Sequence, residues 1–144
     1  MSTRIFPTAQ DAQNAFYEAL ERCDLEGMMA VWAEDEDIVC VHPAGQRLAG
    51  QVEVREVWRQ MFAGGPTMRV RITNQVVIAG VMLEVHSVHE NITVAGEQRP
   101  RPPMVATNVY QRTAAGWRMI AHHASPAAGQ PATEPAPAAP KILH

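Results

Sequence analysis

Two histidines stand side by side in "WRMIAHHAS", residues 117–125, near the end of a run that otherwise reads as a buried strand. Imidazole titrates close to neutrality, so it is well suited to trade a proton with a ligand or to hold a metal. "HSVHE" adds His86, His89 and Glu90, and "IVCVH" ends on His42 just before Pro43, where the chain leaves the sheet. Glu84 and Glu90 are the only carboxylates on predicted strand segments, because Asp11, Asp24, Asp35 and Asp37 all precede the first strand. A buried carboxylate beside a histidine gives a dyad whose pKa values straddle neutrality. Glu90 with His123 or His42 is the favoured pairing, and Tyr110 is placed to donate to a carbonyl oxygen. The structural alternatives are a Glu90 that pairs with a neighbouring arginine or faces solvent, and a His123 that is a hydrogen-bonded core imidazole.

Strand parity sorts the doublet. Side chains alternate, so His122 and His123 face opposite ways. Trp117, Met119, Ala121, His123 and Ser125 form one set, with a large indole and no charge, and are assigned to the concave side. His123 then enters the cavity and His122 lies on the outer face, near a possible dimer contact. With Arg112 opposite Trp117, Asn108 and Tyr110 share the face of Met119 and His123; a one-residue bulge reverses this. The pocket candidates are therefore His42, Glu90, Asn108, Tyr110 and His123, with Trp32 and Trp117 as apolar wall. Glu90, His123 and Tyr110 are the candidates for catalysis. A zinc site would need His42, His123 and one of His86 or Glu90 to converge, and no close-spaced ligand pair supports it, so no metal and no cofactor are expected.

The elements that must position these residues follow from periodicity. "TAQDAQNAFYEALERC" reads as a helix capped by Thr8 and Asp11, with Phe16, Ala19, Leu20 and Cys23 on one stripe. Asp24 caps a short second helix, "LEGMMAVWA", and "EDED" ends it in a solvated turn. After the strand "IVCVH", "PAGQRLAG" has room for a small hairpin, and "QVEVREVWRQMF" is a third helix with Val54, Val57, Trp58, Met61 and Phe62 on its apolar side. The period then switches from that of a helix to that of a strand through "TMRVRITNQVVIA", "VMLEVHSVHENITV", "PMVATNVYQR" and "WRMIAHHAS". Three helices followed by long antiparallel strands indicate α+β, with a curved sheet around the helices.

A chain of 144 residues is one domain's worth and needs no metal or disulfide to hold it. The net charge of −3 gives no general attraction to nucleic acid or anionic lipid. The single lysine, Lys141, lies in the tail, which excludes Schiff-base chemistry in the body. Cys23 and Cys40 read as reduced thiols. The N-terminus lacks the apolar core of a signal peptide and no run approaches a membrane span, so a cytoplasmic protein is expected. Residues 126–144 form a Pro/Ala tail with five of the eleven prolines, separate from a domain at 1–125.

Residues 8–125 resemble the NTF2-like superfamily and, within it, the SnoaL-like group. "FYEALERCDLEGMMAVWAEDEDIVCVHPAG", "RLAGQVEVREVW" and "GWRMIAHHAS" carry the likeness in their order and spacing. The resemblance implies a cystatin-like cone: three N-terminal helices packed in a curved, mainly antiparallel sheet, with a pocket inside and a homodimer through the outer sheet face. Isomerases, cyclases and epoxide hydrolases of this fold use sheet aspartates that this chain lacks. Dehydratase chemistry, with histidine, tyrosine and carboxylate, is less affected. The leading expectation is a small-molecule-binding domain. A cofactor-free lyase or isomerase, and a non-catalytic dimerisation module, stand as alternatives.

Overall fold

The computed structural model describes residues 4–128. α1 (Ala9–Arg22) starts as its residues require: Thr8 Oγ1 accepts the Asp11 amide at 3.0 Å and the Thr8 hydroxyl donates to Asp11 Oδ2 at 2.9 Å. It ends at Cys23, in the left-handed region at φ 54°, rather than running through it. Asp24 Oδ1 then accepts the Gly27 amide at 3.0 Å and opens α2 (Leu25–Val31). β1 (Val39–Val41) and β2 (Arg47–Ala49) form the small hairpin, and Gly50, at φ 87°, makes the turn into α3 (Gln51–Gly64).

Four long strands follow, β3 (Met68–Ala79), β4 (Leu83–Val94), β5 (Met104–Thr113) and β6 (Gly116–Pro126). The sheet order is β2-β1-β6-β5-β4-β3, antiparallel throughout except that β1 runs parallel to β6. The α+β cystatin-like architecture is thus present, with an open six-stranded mixed sheet and edges at β2 and β3. α1 lies on the inner face against β3, β5 and β6. Phe16, Trp32, Trp58, Met28, Ile38, Tyr110 and Met119 form the fully buried centre of the core. Only Val54 and Trp58 of the α3 stripe are buried, and Val57, Met61 and Phe62 are half-exposed at the rim. Arg118 anchors the far end by donating to the carbonyls of Ala30 and Arg4. At the other edge, Glu21 of α1 accepts the amide of Val70 at 2.8 Å.

The β5–β6 ladder contains the feature that decides the interior. Arg112 pairs with Trp117 and Tyr110 with Met119, but Val109 pairs with Ala121. Ile120 is the extra residue of a bulge, and alternation restarts after it. His122 and Ala124 therefore point inward, and Ala121, His123 and Ser125 outward. The expected assignment of His123 to the cavity and His122 to the outer face is reversed. Among the described residues no helix is long and apolar enough to cross a membrane. The expected tail falls mostly outside the described residues. Cys23 and Cys40 are free thiols.

Candidate functional site

The interior polar groups come from α1, β4, β5 and β6. Helical spacing puts Gln13 and Tyr17 one turn apart on the buried face of α1, beside Phe16 and Leu20. Period-two alternation puts Glu84, His86, Val88 and Glu90 on the inner face of β4, and Asn108 and Tyr110 on that of β5. Register then brings His86, Asn108, His122 and Cys40 into one row across four strands.

These side chains form one hydrogen-bonded cluster. The Tyr17 hydroxyl donates to Glu90 Oε2 at 2.6 Å and accepts from Asn108 Nδ2 at 3.0 Å. Asn108 Oδ1 lies 2.7 Å from His122 Nδ1. Gln13 Oε1 receives the Tyr110 hydroxyl at 2.9 Å and Asn108 Nδ2 at 3.2 Å, and lies 3.0 Å from His86 Nδ1. His86 Nε2 is 2.6 Å from Glu84 Oε2, the half-buried end of the cluster. Such a network is affordable in a core because almost every member has a partner.

Aromatic rings wall the cluster on the α3 side. His42 packs edge-on to Trp58, 4.6 Å between centroids, and lies 6.1 Å from His122. Phe16 sits 4.9 Å from His122, and Trp58 5.6 Å from both Phe16 and Phe62. Burial pushes His42 down to about 4. Burial, with the neighbouring imidazoles His42 and His123, pushes His122 down to about 3. Both rings are neutral at pH 7. Burial raises the Glu90 carboxyl above its usual range, and the Tyr17 hydroxyl offsets this in part. Burial and the Glu90 charge hold the Tyr17 and Tyr110 phenols protonated.

Among the described residues, polar atoms of the cluster and its wall also stand without a hydrogen bond. The buried indole N–H of Trp58 has no partner. Neither His122 Nε2 nor the second Glu90 oxygen makes a hydrogen bond. The Trp32 indole N–H is also unpaired, on the α2 side, where Trp32 bridges to Met119.

Of the residues expected at a pocket, Glu90, Asn108, Tyr110 and Trp32 are buried inside and His42 is half-buried at the rim. Trp117 is half-buried against the core edge, near Phe6. His123 is exposed on the outer sheet face, apart from the rest. Glu90 has Tyr17 as its partner and no histidine. Sequence reasoning missed Gln13 and Tyr17, weighed His86 only as a zinc ligand, and placed His122 on the outer face. Gln13 and Tyr17 carried a usable signal: polar groups at helical spacing within the apolar stripe of Ala9, Ala12, Phe16 and Leu20. Among the described residues no three metal-ligating side chains gather.

The chain matches the SnoaL-like domain family over residues 10–129. A solved structure from Thiobacillus denitrificans, named provisionally as a calcium/calmodulin-dependent protein kinase type II association domain, is 42% identical. That match covers 87% of this chain and 99% of the other, with a TM-score of 0.82. A Streptomyces avermitilis protein named provisionally as a dehydratase of the NTF2-like family is 32% identical over 82% of this chain and 92% of its own, with a TM-score of 0.75. A Nostoc punctiforme protein of unknown function with a cystatin-like fold, 15% identical, shares the fold at a TM-score of 0.69 over 83% of this chain and 93% of its own. Comparison with curated proteins gives no match. With the family model spanning nearly the whole described domain and the fold shared by these structures, the chain belongs to the SnoaL-like group of the NTF2-like superfamily.

Proposed function

We propose that the domain binds a small, uncharged, largely apolar organic molecule at the rim between α3 and the inner sheet face. The observation that carries this reading is the buried, unpartnered indole N–H of Trp58 beside two neutral imidazoles. An unmet buried donor costs about 1–3 kcal/mol, a cost that a ligand oxygen would relieve. His122 Nε2 and the free Glu90 oxygen supply acceptors, while Phe16, Phe62 and half-buried Met61 supply apolar surface. The neutral imidazoles and the apolar walls disfavour a charged ligand. The test is a screen of cyclic alcohols and ketones by 1H–15N spectra. The indole resonance assigned through Trp58→Phe shifts on binding if the reading holds. A screen in which only the Trp32 or Trp117 indole moves, or none does, removes it.

Acid–base turnover at the same place is the second reading. Glu90 favours it, because burial lifts its carboxyl toward the pH at which a base works, and so does the dehydratase name of the Streptomyces avermitilis relative. A Glu90→Gln change would then keep binding and abolish turnover.

The outer face supports a further part of the proposal, a homodimer. Val105, Thr107, Val109, Ala121, His123 and Ser125 line a shallow concavity of about 400 Å³ there. The association-domain name of the Thiobacillus denitrificans relative agrees with such an interface.

A further inference from the structure

The hydrogen bonds inside the core have a direction, and that direction reaches the proposed ligand. At the α1 surface, Gln10 Nε2 donates to Asn14 Oδ1 at 2.9 Å, and Gln10 Oε1 accepts Gln75 Nε2 at 2.7 Å. Gln75 Oε1 therefore faces inward and accepts Gln13 Nε2 at 2.7 Å. Gln13 is left with its carbonyl oxygen turned to the core, where it meets the Tyr110 hydroxyl, Asn108 Nδ2 and His86 Nδ1; because Glu84 takes the hydrogen of His86 Nε2, the last contact is a hydrogen bond only when His86 carries both ring protons. Asn108 must then present Oδ1 to His122, so His122 Nδ1 is the nitrogen that carries the proton. Nε2 is left as a bare acceptor.

The Glu90 end gives the same answer when the carboxyl is ionised. A carboxylate only accepts, so Tyr17 donates to it and takes a hydrogen from Asn108 Nδ2. This end is conditional. A protonated Glu90 can donate to Tyr17, which can then donate to Asn108 and turn its amide over. Gln13 Oε1 opposes that rotation, because a turned amide would set Asn108 Oδ1 against a carbonyl oxygen.

We propose that Gln13 is a positioning residue that locks His122 as the Nδ1–H tautomer, so that the site recognises ligands bearing a hydroxyl or N–H donor for His122 Nε2. The ligand half rests on the binding site proposed above; the tautomer half does not. A ligand with only acceptor oxygens can satisfy Trp58 but leaves Nε2 unmet. Buried groups left unpaired in this way are the strongest source of discrimination between near-isosteric ligands.

The experiment has two arms. Long-range 1H–15N spectra of the histidine rings at pH 7 read the tautomer directly. The wild type shows His122 protonated on Nδ1, Gln13→Met shows a second, Nε2–H species, and Gln13→Glu, which keeps the acceptor, shows Nδ1–H alone. A wild type protonated on Nε2, or a Gln13→Met spectrum identical to the wild type, overturns the lock. Should Gln13→Met fail to fold, Gln75→Met frees the Gln13 amide from outside the core and must produce the second species. In the other arm, cyclohexanol is compared with its methyl ether, which keeps the acceptor and loses the donor. The alcohol binds the wild type roughly two- to tenfold more tightly, and Gln13→Met narrows the difference. Equal affinities overturn the ligand class with the site intact. Binding of neither probe overturns the site itself, and the tautomer spectra still decide the lock.

Discussion

The Tyr17 hydroxyl lies 2.6 Å from Glu90 Oε2, joining the first helix to β4 across 73 positions of sequence. Each group depends on the other. The carboxyl would otherwise be buried with little to compensate it, and the phenol would lack an acceptor. Tyr17→Phe is expected to cost about 1–3 kcal/mol in urea unfolding at pH 7. It should also push the Glu90 carboxyl further up, read by the 13C shift of the carboxyl carbon. An unchanged shift would mean that Tyr17 has no hold on Glu90.

Glu90 itself sets one pH dependence. Its folded-state pKa is raised, so the folded chain binds the proton more tightly than the unfolded one. Its contribution is therefore most favourable below the unfolded carboxyl value and is lost as pH rises through the folded value. Glu90→Gln keeps an acceptor for Tyr17 and removes the charge. The variant is expected to lose this downward trend and to be more stable than the wild type at pH 8, as read from urea midpoints.

His42 and His122 give the opposite sign. Their folded values, about 4 and about 3, lie below the ordinary 6.5, so protons favour the unfolded chain. Stability from these rings is complete above 6.5 and is lost as pH falls toward 4 and then 3, at about 1.4 kcal/mol per pH unit for each ring. His42→Phe should remove one ring's share of the slope between pH 6 and 4. Parallel wild-type and variant curves would show that His42 does not titrate in this way.

The outer-face assembly is open to a direct test. Thr107 is exposed within the concavity beside Val109 and Ala121. Thr107→Arg should give a monomer in sedimentation velocity at concentrations where the wild type is dimeric, with the thermal midpoint of the monomer fold retained. A monomeric wild type would dispose of the interface altogether.

The helices, their caps and the sequence of elements along the chain were legible because each rests on local chemistry. Thr8, Asp24 and Gly50 mark helix starts wherever the chain folds. Glu90, Asn108 and Tyr110 were legible as inward because parity on β4 and β5 is unbroken across those residues. His122 was not, because one bulged residue, Ile120, reverses every side chain after it, and nothing in "MIAHH" marks a bulge. Gln13 was hidden for another reason. A polar residue on an apolar stripe reads as a flaw until its partners on β3, β4 and β5, distant in sequence, are seen to converge on it.

The bond from Val70 to Glu21 has a consequence for how the chain is made. β3 is an open edge whose outward amides could template pairing with another nascent chain. Its shield is not part of the sheet but a side chain of the first helix, and it leaves the ribosome 49 residues ahead of the amide it covers. Beyond the shield, Val76, Val77 and Ile78 of the same edge strand stay exposed. The unguarded far end of β3 is therefore where edge-to-edge pairing with a second chain would begin, while the near end emerges with its guard already synthesised.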